Sequence, residues 1–172
     1  MPQAPFMGVP IAVDHPFRGG QEAAIPFKRL YLSNQITTRI TYQGGMHFVG
    51  ESETRHLVHM DSVPINLPSG GPTPMEVVLQ AAATCSAMDV ATILNKRHKH
   101  IASFDLEAQG TRKDSFPRIF TAIHIVYKIS GPDITKNEVE KAVKLSHENY
   151  CSVINMLKPT VEVSYAVEVR QE

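Results

Sequence analysis

The feature that most constrains the fold of this chain is an apolar segment with an explicit helix start, residues 73–99. Thr73 can cap a helix, Pro74 suits the first helical position, and Glu76 completes a capping box. Apolar residues then recur at positions 77, 78, 81, 82, 85 and 88, which predicts a long helix with Cys85 on its buried stripe. The helix is apolar around much of its circumference, more than a lone chain of this size covers comfortably. This predicts a second subunit.

The flanking segments alternate in polarity, as β-strands do. Three strands precede the long helix, with Gly44 and Gly45 as a hairpin turn, and two follow it. Thr135 and Glu138 form a second capping box, which opens a helix that breaks at Cys151 before a shorter helix begins. A final alternating run covers residues 161–169. The predicted order is βββ-α-ββ-αα-β, an α+β fold.

Composition narrows the class of protein. Residues 1–34 carry five of the twelve prolines and no sustained periodicity, so we interpret them as an extension and residues 35–172 as a single domain. Lys plus Arg and Asp plus Glu number 17 each, so no net charge recruits nucleic acid or an anionic membrane. We find no apolar run of the ~18 residues that a membrane span needs, and no signal-peptide pattern. We therefore expect a cytoplasmic protein that binds neither nucleic acid nor membrane.

The sequence has two cysteines, Cys85 and Cys151, 66 residues apart. A buried nucleophilic thiol and a second thiol from elsewhere in the fold are what a two-cysteine redox cycle requires. The alternative is that both are small core hydrophobes, a common role for intracellular cysteines. Residue types alone leave both interpretations open.

Two motifs together resemble a known family. Residues 74–85, PMEVVLQAAATC, resemble the cysteine helix of the osmotically inducible protein C and organic hydroperoxide resistance (OsmC/Ohr) superfamily, and residues 148–153, ENYCSV, resemble its second cysteine motif. The resemblance implies an intertwined homodimer with central cysteine helices, antiparallel sheets completed across the two chains and active sites at the interface. It also implies thiol-dependent reduction of small organic hydroperoxides without metal, haem or other cofactor. Cys85 would be the peroxidatic and Cys151 the resolving cysteine, and an external dithiol, lipoyl-type or another small one, would be the reductant.

Thiol chemistry of this kind needs more than an activated thiolate. Lowering a thiol pKa from ~8.5 to ~6 raises the thiolate fraction about 30-fold at pH 7, but intrinsic nucleophilicity falls about 18-fold. The net gain of about twofold calls for a cation or donor that stabilises charge on the departing oxygen. The family supplies an arginine from the N-terminal strands, held by a glutamate near the start of the cysteine helix. Where many members carry that arginine, after Gly44-Gly45, this chain has Met46.

The nearest basic candidates are Arg39 and His47, and Glu76 is the candidate glutamate. Nine residues at ~100° each place Glu76 on the opposite helix face from Cys85, and the capping box explains it without catalysis. Arg39 can equally be a solvated strand residue. Both assignments stay open.

The histidines do not form a recognisable metal-binding motif. No Cys-x₂-Cys or His-x₃-His unit joins them to the cysteines, so we predict no metal. A second function class also remains open. The chain could be a non-catalytic or redox-responsive dimer that binds an apolar small molecule, which the missing glycine-adjacent arginine favours.

Overall fold

A computed structural model of the chain describes residues 34–62 and 68–170. Almost all of the predicted extension, residues 1–34, lies outside the described residues. Within them the element order follows the prediction. The strands and helices are β1 Thr38–Gly44, β2 His47–Ser52, β3 Leu57–Met60, α1 Pro74–Lys96, β4 Ser103–Arg112, β5 Phe120–Ser130, α2 Lys136–Leu145, α3 Ser152–Leu157 and β6 Glu162–Arg170, with a π-helical turn, Ser146–Tyr150, between α2 and α3.

The first sheet is the antiparallel meander β1-β2-β3. Gly44 and Gly45 turn the chain between β1 and β2 with φ values of 109° and 58°, which glycine adopts without a side-chain penalty. Cross-strand neighbours share a face of a sheet, so Ile40, Tyr42, Phe48 and Val58 form one apolar face. That face is open in the single chain, with Tyr42 60% exposed.

The second sheet has the order β4-β5-β6. β4 pairs with β5 antiparallel, as predicted, but β6 pairs with β5 in parallel. The expectation of antiparallel sheets is therefore wrong here, and this sheet is mixed. The reason is connectivity: α2 and α3 lie between β5 and β6 and carry the chain back, so β6 enters at the same end of the sheet as β5.

The hydrophobic core lies between the second sheet and the helices. Burying each aliphatic side chain of this size contributes about 1.5–3 kcal/mol relative to leaving it exposed. The largest core side chains come from one face of β5 and the inner faces of α1, α2 and α3: Ile123, Ile125, Tyr127, Ile129, Val90, Leu94, Val139, Val143 and Ile154.

Helix α1 begins as predicted, because the Thr73 side chain accepts the Glu76 N–H and the Glu76 side chain accepts the Thr73 N–H. The predicted buried stripe is misplaced. The residues buried are Ala82, Ala83, Ser86, Ala87, Val90 and Leu94, whereas Cys85 is half-buried and Met88 is 66% exposed. The second sheet, α2 and α3 cover one side of α1, and most of the apolar positions chosen from the sequence lie on the other.

The same helix corrects the expectation that no segment is long and apolar enough to span a membrane. With 23 residues and an 18-residue window of mean hydropathy 1.6, α1 meets that test by length and composition. The core helix of a soluble protein meets it as well, and α1 packs one face against the second sheet.

A polar contact joins the first sheet to the start of α1. Asp61, buried at the end of β3, donates its N–H to the Pro72 carbonyl at 3.1 Å and accepts the Gly70 N–H on Oδ2 at 2.9 Å. The strands of the first sheet otherwise pack chiefly on one another. The apolar face of this sheet and the outer face of α1 are thus two open apolar surfaces among residues 34–62 and 68–170.

Candidate functional site

The fold brings the two cysteines together. Cys85 lies in the middle of α1, Cys151 lies at the start of α3, and the two thiols are near enough for Cys85 to raise the pKa of Cys151. Both are free thiols. Cys151 has no solvent exposure, whereas Cys85 is half-buried. A small molecule from solvent therefore meets Cys85 first.

Local backbone geometry fixes Cys151. Its N–H donates to the Ser146 carbonyl at 2.9 Å, which closes the π-helical turn, and its carbonyl accepts the Asn155 side-chain N–H at 2.9 Å. Its thiol caps α3 by accepting the Ile154 N–H at 3.5 Å. A wide helical turn followed at once by a new helix start aims this side chain inward, toward α1.

The environment keeps Cys151 protonated. Burial raises the pKa of the Cys151 thiol to about 11, and the neighbouring Cys85 and Asp89 add to the rise, against the stabilising N–H of Ile154. At neutral pH this side chain is therefore a thiol, the form that reacts poorly with peroxides.

A buried polar network beside the cysteines was missed by sequence reasoning. The Ser86 hydroxyl lies 2.6 Å from the Tyr127 hydroxyl, which lies 2.9 Å from His147 Nε2. Ser146 Oγ donates to Asp89 Oδ2 at 2.8 Å and lies 3.1 Å from Ser86 Oγ. The available signal was the presence of Ser86 and Asp89, one and four residues after Cys85, on an otherwise apolar helix.

His147 belongs to this network through its bond to Tyr127. Burial, with a smaller contribution from Lys158, lowers the pKa of His147 to about 4, so the ring is neutral at pH 7. The Lys158 ammonium donates to the His147 carbonyl. Burial also raises the pKa of the Tyr127 hydroxyl far above its ordinary range, so this group exchanges hydrogen bonds without ionising.

The other predicted site residues lie elsewhere. Glu76 Oε2 accepts from the Thr73 N–H at 2.7 Å and from Thr73 Oγ1 at 2.8 Å, and these bonds lower the pKa of Glu76. Arg39 lies on β1 opposite Glu51, and His47 Nε2 lies 3.0 Å from His59 Nδ1 on the same sheet. The fold therefore brings Cys85 and Cys151 together, whereas Arg39 and His47 lie on β1 and β2 of the first sheet.

We find no metal-binding site in the part of the chain that the structure describes. There, no three His, Cys, Asp or Glu side chains converge in a way that could hold a metal ion. The site offers two thiols and a hydrogen-bonded network of hydroxyl groups, the Asp89 carboxylate and the His147 ring.

Comparison with known proteins agrees with this fold. A family model described as an OsmC-like protein matches residues 67–166. Protein YhfA of Escherichia coli K12 is 37% identical over 134 residues, which cover 78% of this chain and 98% of YhfA. The chain belongs to the OsmC-like protein family, which confirms the resemblance drawn from the two cysteine motifs.

Solved structures extend the match to the fold. A hypothetical protein from Aquifex aeolicus is 27% identical with a TM-score of 0.71, over 81% of this chain and 99% of that one. The organic hydroperoxide resistance protein OhrB of Bacillus subtilis is 18% identical with a TM-score of 0.55, over 77% and 98% of the two chains. The α+β fold is confirmed, and at 18% identity the second match speaks for the fold alone.

Proposed function

We propose that this protein reduces organic hydroperoxides through a two-cysteine cycle, with Cys85 as the peroxidatic and Cys151 as the resolving residue. The observation that carries the proposal is the interaction between a half-buried and a fully buried thiol that lie on separate elements. A pair that served only as core filler would not need unequal access to solvent.

Each step of the cycle balances. The Cys85 sulfur attacks the distal peroxide oxygen, the O–O bond breaks, and the products are a sulfenic acid and an alcohol. The Cys151 sulfur then attacks the Cys85 sulfur, forming the S–S bond as the S–O bond breaks and water leaves. An external dithiol restores both thiols by exchange and is itself oxidised to a disulfide.

Family membership supports this proposal at the coarse level. One structural neighbour is titled an organic hydroperoxide resistance protein, whereas the name YhfA states no activity. We propose further that the working form is a cytoplasmic homodimer in which Arg39, or else His47, from one chain stabilises the departing alkoxide near Cys85 of the other. A guanidinium keeps its charge at any working pH, which makes Arg39 the first choice.

Two cysteine variants test the proposal. Reduced protein is mixed with cumene or tert-butyl hydroperoxide and dithiothreitol, and peroxide consumption is followed by stopped flow. We expect Cys85→Ser to abolish turnover and Cys151→Ser to complete one reduction and then stall or overoxidise. Equal activity of Cys85→Ser and the wild type would rule the enzyme out. Absence of sulfenic or sulfinic adducts by mass spectrometry would instead make both thiols core residues.

Two features of the chain favour a second function. Met46 follows Gly44-Gly45, where hydroperoxide resistance members tend to carry arginine, and the apolar face of the first sheet is open. These features suit a dimer that binds an apolar small molecule and changes its surface on disulfide formation. Disulfide formation without catalytic peroxide turnover would favour this alternative.

A further inference from the structure

The side chain of Ser146 ties the π-helical turn to α1. Ser146 is the first residue of the turn and has no solvent exposure. Its hydroxyl donates to Asp89 Oδ2 at 2.8 Å and lies 3.1 Å from Ser86 Oγ, and both of these partners belong to α1. Cys85 is the residue before Ser86 on the same helix. The turn is therefore held by the part of α1 that directly follows the first cysteine.

The backbone of the same serine holds the second cysteine. The Ser146 carbonyl accepts the Cys151 N–H at 2.9 Å, the bond that closes the turn. Ser146 therefore contacts α1 through its side chain and Cys151 through its carbonyl. The other side of Cys151 is fixed from α3, where the Asn155 amide donates to the Cys151 carbonyl at 2.9 Å. The position of the buried Cys151 thiol relative to α1 depends on these anchors.

The hydrogen bonds around Ser146 form a chain with one direction. A serine or tyrosine hydroxyl has one proton to donate, and a carboxylate has none. With a carboxylate as the final acceptor, only one assignment gives every contact a proton. From first donor to final acceptor, the groups are then His147 Nε2, Tyr127, Ser86, Ser146 and Asp89. The chain holds two consecutive residues of the turn, and hydrogen bonds linked in this way strengthen one another.

We propose that Ser146, anchored by Asp89 and Ser86, is the positioning residue of the resolving cysteine and holds the π-helical turn so that Cys151 meets Cys85 for disulfide closure. This inference rests on the proposed role of Cys151 in the peroxide cycle and concerns its second step. An intramolecular reaction is faster when its two groups are already aligned, because the entropy of alignment is lost during folding and not in the reaction. Without the Ser146 hydroxyl, the turn keeps its backbone bonds and loses its side-chain connection to α1.

Disulfide closure can be followed without a peroxide. The Cys85 sulfur attacks dithiodipyridine, the S–S bond of the reagent breaks, and one thiopyridone leaves as a mixed disulfide forms on Cys85. The Cys151 sulfur then attacks the Cys85 sulfur, the protein disulfide forms, and the second thiopyridone leaves with the proton of the Cys151 thiol. The two cysteines lose two electrons and the reagent gains them, so the reaction balances.

A two-phase release experiment tests the inference. The reduced full-length chain is mixed with one equivalent of dithiodipyridine, and thiopyridone absorbance reports the mixed disulfide in the first phase and closure in the second. Mass spectrometry after an acid quench locates the mixed disulfide on Cys85. The variants are Ser146→Ala, Asp89→Ala and Asp89→Asn. Ser130→Ala is the matched control, since it removes a buried hydroxyl that lies 2.7 Å from the Ser103 hydroxyl on the second sheet.

We expect Ser146→Ala to form the mixed disulfide within about twofold of the wild-type rate and to close at least ~10-fold more slowly, the factor that one hydrogen bond to a charged group is worth. Asp89→Ala should slow closure likewise, because it removes the acceptor. Asp89→Asn should close faster than Asp89→Ala, since its amide oxygen still accepts from Ser146. Hydrogen exchange of the Cys151 N–H, followed by NMR, should quicken in Ser146→Ala and stay unchanged in Ser130→Ala.

Several results would overturn the inference. Closure at the wild-type rate in both Ser146→Ala and Asp89→Ala would do so, and so would equal slowing of both phases, which indicates a general loss of structure. Equal slowing of closure in Asp89→Asn and Asp89→Ala would overturn it in favour of a charge effect. Should Ser146→Ala fail to fold, closure at the wild-type rate in Asp89→Ala is sufficient to reject it.

The experiment also separates this inference from the proposed function. A wild type that closes its disulfide with dithiodipyridine but consumes no hydroperoxide overturns the peroxide cycle and leaves the positioning role of Ser146 intact. A wild type that never releases the second thiopyridone overturns both.

Discussion

At the scale of single residues, burial shifts the pKa of Cys151 and the pKa of His147 in opposite directions. It keeps Cys151 a thiol by raising its pKa and keeps His147 an uncharged ring by lowering its pKa. In both cases the neutral form is favoured, because the charged form would lose hydration. The buried part of the site is therefore assembled from the neutral Cys151 thiol, hydroxyl groups and the neutral His147 ring.

The depressed pKa of His147 predicts how stability depends on pH. Its pKa is about 4 in the folded chain and ~6.5 when unfolded, so the unfolded state binds more protons between these values. The contribution of His147 is therefore fully present above pH ~6.5 and is lost as pH falls toward 4. We expect urea unfolding under reducing conditions to show a falling free energy of unfolding across that window.

His147→Gln should flatten this acid-side fall, because the amide retains hydrogen bonding to Tyr127 and does not titrate. His124→Gln is the matched control, since His124 is exposed and bonds Ser164 at 2.8 Å. An equally steep fall in the wild type and in His147→Gln would contradict the assignment.

At the scale of elements, α1 and α2 begin with the same device. Thr73 with Glu76 and Thr135 with Glu138 form reciprocal capping boxes, and each glutamate accepts from the threonine hydroxyl and the threonine N–H. The threonine contacts lower the pKa of both glutamates, and for Glu138 the Thr135 contacts together with Lys99 lower the pKa to about 2. Because both helices begin with a capping box, comparing Glu76 with Glu138 tests whether Glu76 has a role beyond capping.

We predict that Glu76→Gln and Glu138→Gln both lower the free energy of unfolding in urea. The amide oxygen still accepts hydrogen bonds but the negative charge at the helix start is lost, and Glu138→Gln should lower it more because it also loses the ion pair with Lys99. Peroxide turnover should stay within about twofold of wild type in both variants. A selective loss of turnover in Glu76→Gln would instead show that its charge holds the catalytic cation.

At the scale of the whole molecule, two open apolar surfaces both indicate an interface with another chain. The first sheet presents Tyr42 and its neighbours, and α1 presents Met88 on the side away from the second sheet. Contiguous apolar surface of this kind is typical of an interface. A second copy of the chain that packed α1 against α1 would cover the helix and bring each first sheet toward the other chain's cysteines.

We therefore predict a homodimer in solution, with twice the 19.1 kDa chain mass by light scattering. Met88→Arg should shift the population toward monomer, because a guanidinium would be buried against the partner helix without a counter-charge. Met156→Arg, at an exposed methionine of α3, is the matched control and should remain dimeric. A monomeric wild type at micromolar concentration would contradict this arrangement and the shared site with it.

The sequence by itself determined the local structural features. The capping boxes, the glycine turn and the strict alternation of β4, β5 and β6 depend on neighbours within a few residues, and these predictions were confirmed. The two cysteine motifs determined the family for a similar reason, because a short motif retains the residue types that its chemistry needs.

Only the tertiary structure decided which surfaces meet. A helix that is apolar nearly all round has no single periodicity that selects its buried face, so the stripe through Cys85 was misplaced. The parallel pairing of β6 depends on how two helices return the chain, which no strand records locally. The network of Ser86, Asp89, Tyr127, Ser146 and His147 contains a hydrogen bond between residues 60 positions apart, and its members became neighbours only when α1, β5 and the π-helical turn packed together.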